Sequence, residues 1–108
     1  MAREQDKPVI NPACVLQFDA DTLYLRGRLD FESVVNVEAE GRTWLISEAP
    51  PHCQIDLGGL DYSNSAGIAL LLSWHRVAAC HQRELAVVNI PGHLSAIIEL
   101  VGLEEVLR

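Results

Sequence analysis

The chain has 108 residues, of which 49% are hydrophobic and 21% charged, a composition that supports one apolar core but not two. Its formal net charge of -7 at pH 7 argues against a nucleic-acid-binding surface, because such surfaces cluster Lys and Arg. We find no apolar run of about 18 residues that would predict a membrane span, and residues 1–8 lack the apolar core of a signal peptide. The sequence therefore predicts a single cytoplasmic domain that does not insert into a membrane.

Two short strands are predicted near the amino terminus. Residues 1–13 contain Pro8 and Pro12 and little periodicity, and we interpret them as a flexible lead-in to a domain over residues 14–108. Apolar and polar residues then alternate over 14–19 and 22–30, which is typical of strands with one buried face. A polar turn between them predicts a hairpin.

A helix is predicted to follow the hairpin. Asp30 is suited to the N-cap, because its carboxylate can accept hydrogen bonds from the free amides of a first turn. The helix should run to about Ser47, since Ala49-Pro50-Pro51 stops it. The next strand covers Cys53 to Leu57, and Gly58-Gly59 is expected to end it.

The longest helical candidate, residues 66–82, follows a polar loop at residues 61–66. It is apolar around more than half of its circumference, and two stripes can be drawn on it. One stripe comprises Ile68, Leu71, Leu72 and Ala79, and the other comprises Leu70, Trp74, Val77 and Ala78. The second stripe predicts either packing against the first helix or a partner-binding face.

The last part of the chain completes the pattern. The apolar run from Leu85 to Ile90 predicts an interior strand covered on both faces. Pro91 then opens a helix with apolar residues at helical spacing, and Gly102 is suited to a left-handed cap with Leu103 folding back on the last turn. This order of elements predicts an α/β domain with a small mixed sheet and its helices on one side.

The residues around Ser65 resemble a known family. Ile55-Asp56-Leu57, Leu60 and Asn64-Ser65-Ala66-Gly67-Ile68 are similar to the signature of STAS domains (sulphate transporter and anti-sigma factor antagonist). The similarity covers most of the chain, from Leu25 to Leu103. It implies an α/β, STAS-like fold with a mixed sheet of about four to five strands and three helices packed on one side.

The resemblance implies a binding module rather than an enzyme. Within the family, residues 25–30, 67–72 and 105–108 are most similar to the cytoplasmic STAS subunit of a phospholipid-transport ABC system of Gram-negative bacteria, which maintains outer-membrane lipid asymmetry. The implied partner is the ABC transporter ATPase subunit and, through it, the membrane permease, which would hold the chain at the inner membrane. We expect the partner to contact Ser65, the loop residues Asp61, Tyr62, Ser63, Asn64 and Ala66, and the helix stripe Leu70, Trp74 and Val77.

The same resemblance supports a second interpretation, in which the chain is an anti-sigma factor antagonist and a partner kinase phosphorylates Ser65. Asn64 and Ala66 depart from the family, which usually has an aspartate and a small polar residue there. The missing carboxylate removes a group that could orient the hydroxyl for phosphoryl transfer. From the residues alone, Ser65 is also suited to a plain N-cap role.

Catalytic and metal-binding interpretations are disfavoured by spacing. The segment around Ser65 has Ser63 where a nucleophile elbow has its leading glycine. His75 lies about 15 Å further along the same helix by helical rise, too far to deprotonate Ser65. His75, Cys80 and His81 lack the spacing that places two ligands on one helix face, and the three cysteines lack the C-x-x-C spacing of zinc sites. We therefore predict no catalytic residue, no metal and no cofactor.

Overall fold

The computed structural model of the protein describes residues 13–100 and residue 102. Its strands are β1 (Cys14–Asp19), β2 (Thr22–Leu29), β3 (His52–Ser63) and β4 (Glu84–Val88). They form one mixed sheet in the order β1-β2-β3-β4. β1 is antiparallel to β2, which confirms the predicted hairpin, whereas β2, β3 and β4 are parallel to one another.

Three helices cover one face of this sheet. They are α1 (Val34–Ser47), α2 (Ser65–Cys80) and α3 (Gly92–Leu100). α1 connects β2 to β3 and α2 connects β3 to β4, and α2 contacts both of its neighbours in the helix layer. On the other face the side chains of Tyr24, Arg26, Gln54 and Asp56 are half-buried or exposed. The predicted α/β fold with helices on one side is confirmed.

The core lies between the sheet and the helices. Trp74 of α2 is its largest fully buried side chain, and the indole N–H donates to the carbonyl oxygen of Glu38 in α1 at 3.2 Å. Gly41 of α1 allows this close approach, because a β-carbon there would lie 2.6 Å from Cε2 of the indole. The predicted packing of α2 on α1 is therefore confirmed. The other fully buried large side chains are Leu23, Leu25, Leu29, Val37, Leu45, Ile55, Leu57, Leu71 and Leu94.

α1 begins later than predicted, and Asp30 does not cap it. The Oδ1 atom of Asp30 accepts hydrogen bonds from the backbone N–H groups of Glu32 and Ser33, at 3.0 and 2.9 Å. These bonds close a turn, and the helix starts only at Val34 with Ser33 as its N-cap. The reason is that an aspartate side chain stabilises a turn as well as it caps a helix.

β3 is longer than predicted, because Gly58 and Gly59 do not end it. They lie at a register shift opposite Arg26, where a β-carbon on Gly59 would be 2.6 Å from Cγ of that arginine. Glycine here permits a bulge and a close approach of side chain to backbone. The strand continues to Ser63, so residues 61–63 of the predicted polar loop belong to the sheet.

β4 lies at an edge of the sheet described here, which contradicts the predicted interior position. Its burial alternates, with Leu85 and Val87 buried and Glu84 and Ala86 exposed, because helices cover only one face.

Gly102 has the predicted left-handed backbone, with φ of 74°. Residues 1–12 and Leu103 lie outside the described residues. No helix within 13–100 is long and apolar enough to cross a bilayer.

Candidate partner-binding surface

Ser65 is the first residue of α2 and is exposed, at the point where β3 ends. The preceding residue caps the helix, since Oδ1 of Asn64 accepts a hydrogen bond from the backbone N–H of Ala66 at 2.8 Å. The interpretation of Ser65 as an N-cap is therefore wrong. Because the Asn64 side chain caps the helix, the Ser65 hydroxyl is not needed for the cap.

Only part of the predicted docking loop is accessible. Asp61 and Tyr62 are exposed and Asn64 is half-buried, whereas Ser63 and Ala66 are each 2% exposed. The Ser63 hydroxyl lies beneath the first turn of α2, where a β-carbon on Gly67 would collide with it. The structure thus buries two side chains that the sequence places in the contact surface.

The predicted helix stripe is buried as well. Leu70 and Trp74 are 2% and 0% exposed, and the half-buried Val77 packs against the core. α1 packs against this side of α2, where Gly41 leaves space for the ring of Trp74. The expectation that this stripe is open to a partner is wrong.

An apolar groove lies beside Ser65, between the starts of α1 and α2. Its volume is 390 Å³. Phe31 and Val35 border it and are 66% and 71% exposed. Ser65 shares this side of α2 with Ala69, one helical turn further on. The lining residues are Phe31, Val34, Val35, Glu38, Ala66, Ala69, Leu70 and Ser73. An exposed apolar patch of this kind, with polar residues around it, is typical of a protein-binding surface.

Phe31 and Val35 are not among the predicted contact residues, although both carried a signal. The predicted helix places Val34 and Val37 on its buried side. Val35 falls outside that stripe, and in the structure Phe31 precedes the helix in a turn. Large apolar residues that the core does not require are candidates for a binding surface.

Hydrogen bonds hold the turn that carries Phe31. The buried Ser33 hydroxyl donates to the carbonyl oxygen of Arg28 at 2.8 Å and accepts from the backbone N–H of Asp30 at 2.9 Å. Hydrogen bonds lower the pKa of the Asp30 carboxyl from its ordinary value. The backbone N–H of Ser33 has the largest effect, and the backbone N–H of Glu32 and the side chain of Arg28 have smaller ones. Phe31 therefore projects from a rigid turn.

A series of side chains connects this turn to the start of α2. The Arg28 guanidinium lies 3.2 Å from Oδ2 of Asp30 and 4.2 Å above the ring centroid of Tyr62. Tyr62 stacks on His93 of α3, with ring centroids 6.2 Å apart and planes inclined by 15°. Nε2 of His93 in turn accepts the backbone N–H of Ser63 at 3.0 Å. The histidine thus binds the loop backbone and not the Ser65 hydroxyl.

Two further histidines and one cysteine lie away from this surface. A larger cavity of 640 Å³ at the opposite end of the sheet is lined in part by His52, His75 and Cys53. His52 is 2.9 Å from the Glu84 carboxylate there. Burial raises the pKa of Cys14 to about 11, with a smaller effect of the Asp30 charge, and burial also raises the pKa of Cys53. Among the described residues, no three His, Cys, Asp or Glu side chains are grouped to hold a metal.

A family model described as "Mlab, STAS domain" matches residues 13–108. The chain belongs to the STAS domain family. Members of this family are generally regulatory or interaction domains. No curated protein sequence matches the chain.

Solved structures show the same fold. The Bacillus anti-sigma factor antagonist SpoIIAA, in its unphosphorylated form, is 20% identical over 89% of this chain and 86% of its own, with a TM-score of 0.70. An anti-sigma factor antagonist from Mycobacterium paratuberculosis is 18% identical over 87% and 80%, also with a TM-score of 0.70. At these identities the likeness concerns the fold alone.

One similar structure is part of a transporter assembly. The MlaB subunit of the Acinetobacter MlaFEDB complex, in its ATP-bound Vtrans1 conformation, is 26% identical over 87% of this chain and 98% of its own. The TM-score is 0.73. This STAS domain is therefore similar both to a subunit of an ABC transporter complex and to anti-sigma factor antagonists.

Proposed function

We propose that this chain is the STAS subunit of an ABC transporter for phospholipid, and that it binds and regulates the ATPase subunit. The observation that carries the proposal is the apolar groove bordered by the exposed Phe31 and Val35, with the exposed Ser65 one helical turn before the lining residue Ala69. Aromatic side chains are enriched at protein interfaces, and an exposed apolar patch rimmed by polar residues marks an interaction site. The likeness to MlaB supports the choice of partner.

The surface is suited to docking because its borders are rigid. The turn of Asp30 holds Phe31, and the cap of Asn64 holds Ser65. Little conformational freedom is then lost when a partner binds, which favours affinity. Docking would regulate the ATPase only if the contacts differ between its nucleotide states. Through the ATPase and the permease, the chain would lie at the cytoplasmic face of the inner membrane.

Binding to the ATPase subunit of the same organism tests the proposal. Val35→Glu places a charge in the apolar contact, and we expect the affinity to fall at least about tenfold, as for an interface anchor. Ile46→Glu is the matched control, since Ile46 is a 42% exposed residue of the same helix. It lies on the same side as Val35 and about 16 Å further along the axis. The control should bind like the wild type.

Substitutions of Ser65 complete the test. Ser65→Asp introduces a charge beside the groove and should weaken binding, whereas Ser65→Ala removes only the hydroxyl and should weaken it less. If Val35→Glu, Ser65→Asp and Ser65→Ala all bind the ATPase as the wild type does, the proposal is wrong. Outer-membrane lipid asymmetry in cells that carry the same variants provides an independent readout.

The second candidate function is that of an anti-sigma factor antagonist, and the exposure of Ser65 at the start of α2 favours it. A phosphate there would add about -1.5 to -2 charges. It would be stabilised by the positive end of the helix dipole and would repel an acidic or apolar partner surface. Phosphorylation of the wild type but not of Ser65→Ala by a serine kinase of the same organism, with no ATPase binding, would establish this function instead.

A further inference from the structure

The backbone N–H of Ser63 lacks a strand partner, although it lies in the sheet. β4 pairs with β3 only from His52 to Asp56. Beyond this point β3 has β2 on one side, with Leu29 opposite Ser63. The carbonyl oxygen of Leu29 accepts a hydrogen bond from the backbone N–H of Asn64. Successive N–H groups of a strand point to opposite sides, so the N–H of Ser63 points away from β2. A buried N–H group requires a hydrogen-bond acceptor.

His93 supplies that acceptor from the first turn of α3. Its Nε2 atom lies 3.0 Å from the Ser63 nitrogen. An imidazole nitrogen accepts a hydrogen bond only when it carries no proton, so the contact requires the neutral ring with its hydrogen on Nδ1. The ring lies nearly parallel to that of Tyr62, with the two planes inclined by 15°.

Ser63 in turn supports the start of α2. Its side chain is 2% exposed, and the hydroxyl donates to the carbonyl oxygen of Asn64 at 3.1 Å. Gly67 rests directly above this hydroxyl, with no space for a β-carbon. A displacement of Ser63 would therefore move Asn64 and Ser65 together.

We infer that His93 is a positioning residue of the partner-binding surface, which it controls by holding the Ser63 backbone. The inference rests on the proposed function, because it assumes that the surface around Ser65 binds a protein. Through Tyr62, Arg28 and Asp30, the same contact also extends to the turn of Phe31. Neither the sequence signature of the family nor the groove itself includes α3, so the inference assigns this helix a part in binding.

Two substitutions separate the hydrogen bond from the ring. His93→Phe keeps an aromatic ring for Tyr62 but removes the acceptor, whereas the side-chain amide oxygen of His93→Gln can accept the same N–H. Loss of a hydrogen bond to a buried donor corresponds to at least about a fivefold change in an equilibrium. We expect at least a fivefold faster amide exchange at Ser63 in His93→Phe, together with a similar loss of affinity for the ATPase subunit. His93→Gln should restore most of the slow amide exchange at Ser63 and most of the affinity for the ATPase subunit. Thermal unfolding of each variant identifies any that are not folded.

The measurements distinguish the failure of this inference from that of the proposed function. Amide exchange uses the free protein, so an unchanged rate at Ser63 in His93→Phe overturns the inference without reference to a partner. It is also overturned if Val35→Glu abolishes ATPase binding while His93→Phe binds normally, because the surface would then not depend on His93. If Val35→Glu, Ser65→Asp and Ser65→Ala all bind normally, the proposed function fails, and the role of His93 in docking fails with it.

Discussion

Substitution of Gly41 by alanine tests the contact that buries the predicted partner-binding stripe. In an open helix this change would stabilise the protein by about 1 kcal/mol, because alanine has the higher helix propensity. In this structure the new β-carbon would lie 2.6 Å from Cε2 and 2.7 Å from Cη2 of Trp74, and closer still to Cζ2. Distances of this size require the indole or α1 to move.

The indole has little space in which to move. Trp74 is 0% exposed, and its N–H is held by the carbonyl oxygen of Glu38. Overpacking of a dense core costs about 1–3 kcal/mol, and the overlap with a rigid ring places Gly41→Ala at the upper end of this range. After the gain in helix propensity of about 1 kcal/mol, we expect a net loss of about 2 kcal/mol. This corresponds to a fall in Tm of roughly 8–16 °C for a domain of this size.

Thermal and chemical unfolding measure this change, with two controls. Gly92→Ala in α3 meets nothing within 4 Å and should leave the stability unchanged or raise it slightly. In a Trp74→Phe background, which removes part of the ring facing Gly41, the cost of Gly41→Ala should be smaller. A Gly41→Ala protein as stable as the wild type would show that Trp74 does not fill this site and that the stripe is free after all.

Three further predictions follow from charge and burial. The pKa of Asp30 is lowered in the folded state, so the carboxylate contributes stability above about pH 4 and this contribution is lost as the pH falls through the folded-state pKa. Acid unfolding should therefore show a smaller loss of stability below about pH 4 in Asp30→Asn than in the wild type. In the native protein a disulfide reagent such as DTNB at neutral pH should modify the exposed Cys80 and not the buried Cys14, whose pKa is raised to about 11. Modification of Cys14 as fast as that of Cys80 would contradict its burial. The Arg83 side chain donates to two carbonyl oxygens in the last turn of α1, at 2.8 and 3.0 Å, so Arg83→Lys should lower the free energy of unfolding by about 1 kcal/mol, whereas Arg76→Lys on the exposed side of α2 should not.

The elements that are specified by residues close together in the chain could be predicted from the sequence. The alternation over residues 14–19 and 22–30 defines the hairpin, and Ala49-Pro50-Pro51 ends α1 close to the predicted residue. Gly102 adopts the left-handed conformation that its position after an apolar helix predicts. In each case the signal and the structure that it specifies lie within a few residues of each other.

The incorrect predictions depend on contacts between distant residues. Whether the stripe of Trp74 is covered depends on Gly41 and on a hydrogen bond between residues 36 positions apart. Gly58-Gly59 has the pattern of a strand end, and only the position of Arg26 on β2 shows that it forms a bulge. An apolar run does not specify strand order either, so β4 could not be placed at an edge. The groove combines Phe31 with residues of α2, and no pattern along the chain connects the two.

Asn64 shows how the structure changes the meaning of a departure from the family pattern. In the sequence it marks the loss of the aspartate that the family usually has at this position. In the structure the residue acts through Oδ1, which accepts the Ala66 N–H, and asparagine and aspartate perform this capping role about equally well. The start of α2 therefore keeps its geometry while it loses a negative charge beside Ser65. Because the dipole of α2 makes this end partly positive, the replacement leaves that positive potential less compensated. The departure thus alters the charge presented at Ser65 and leaves the backbone geometry at the start of α2 intact.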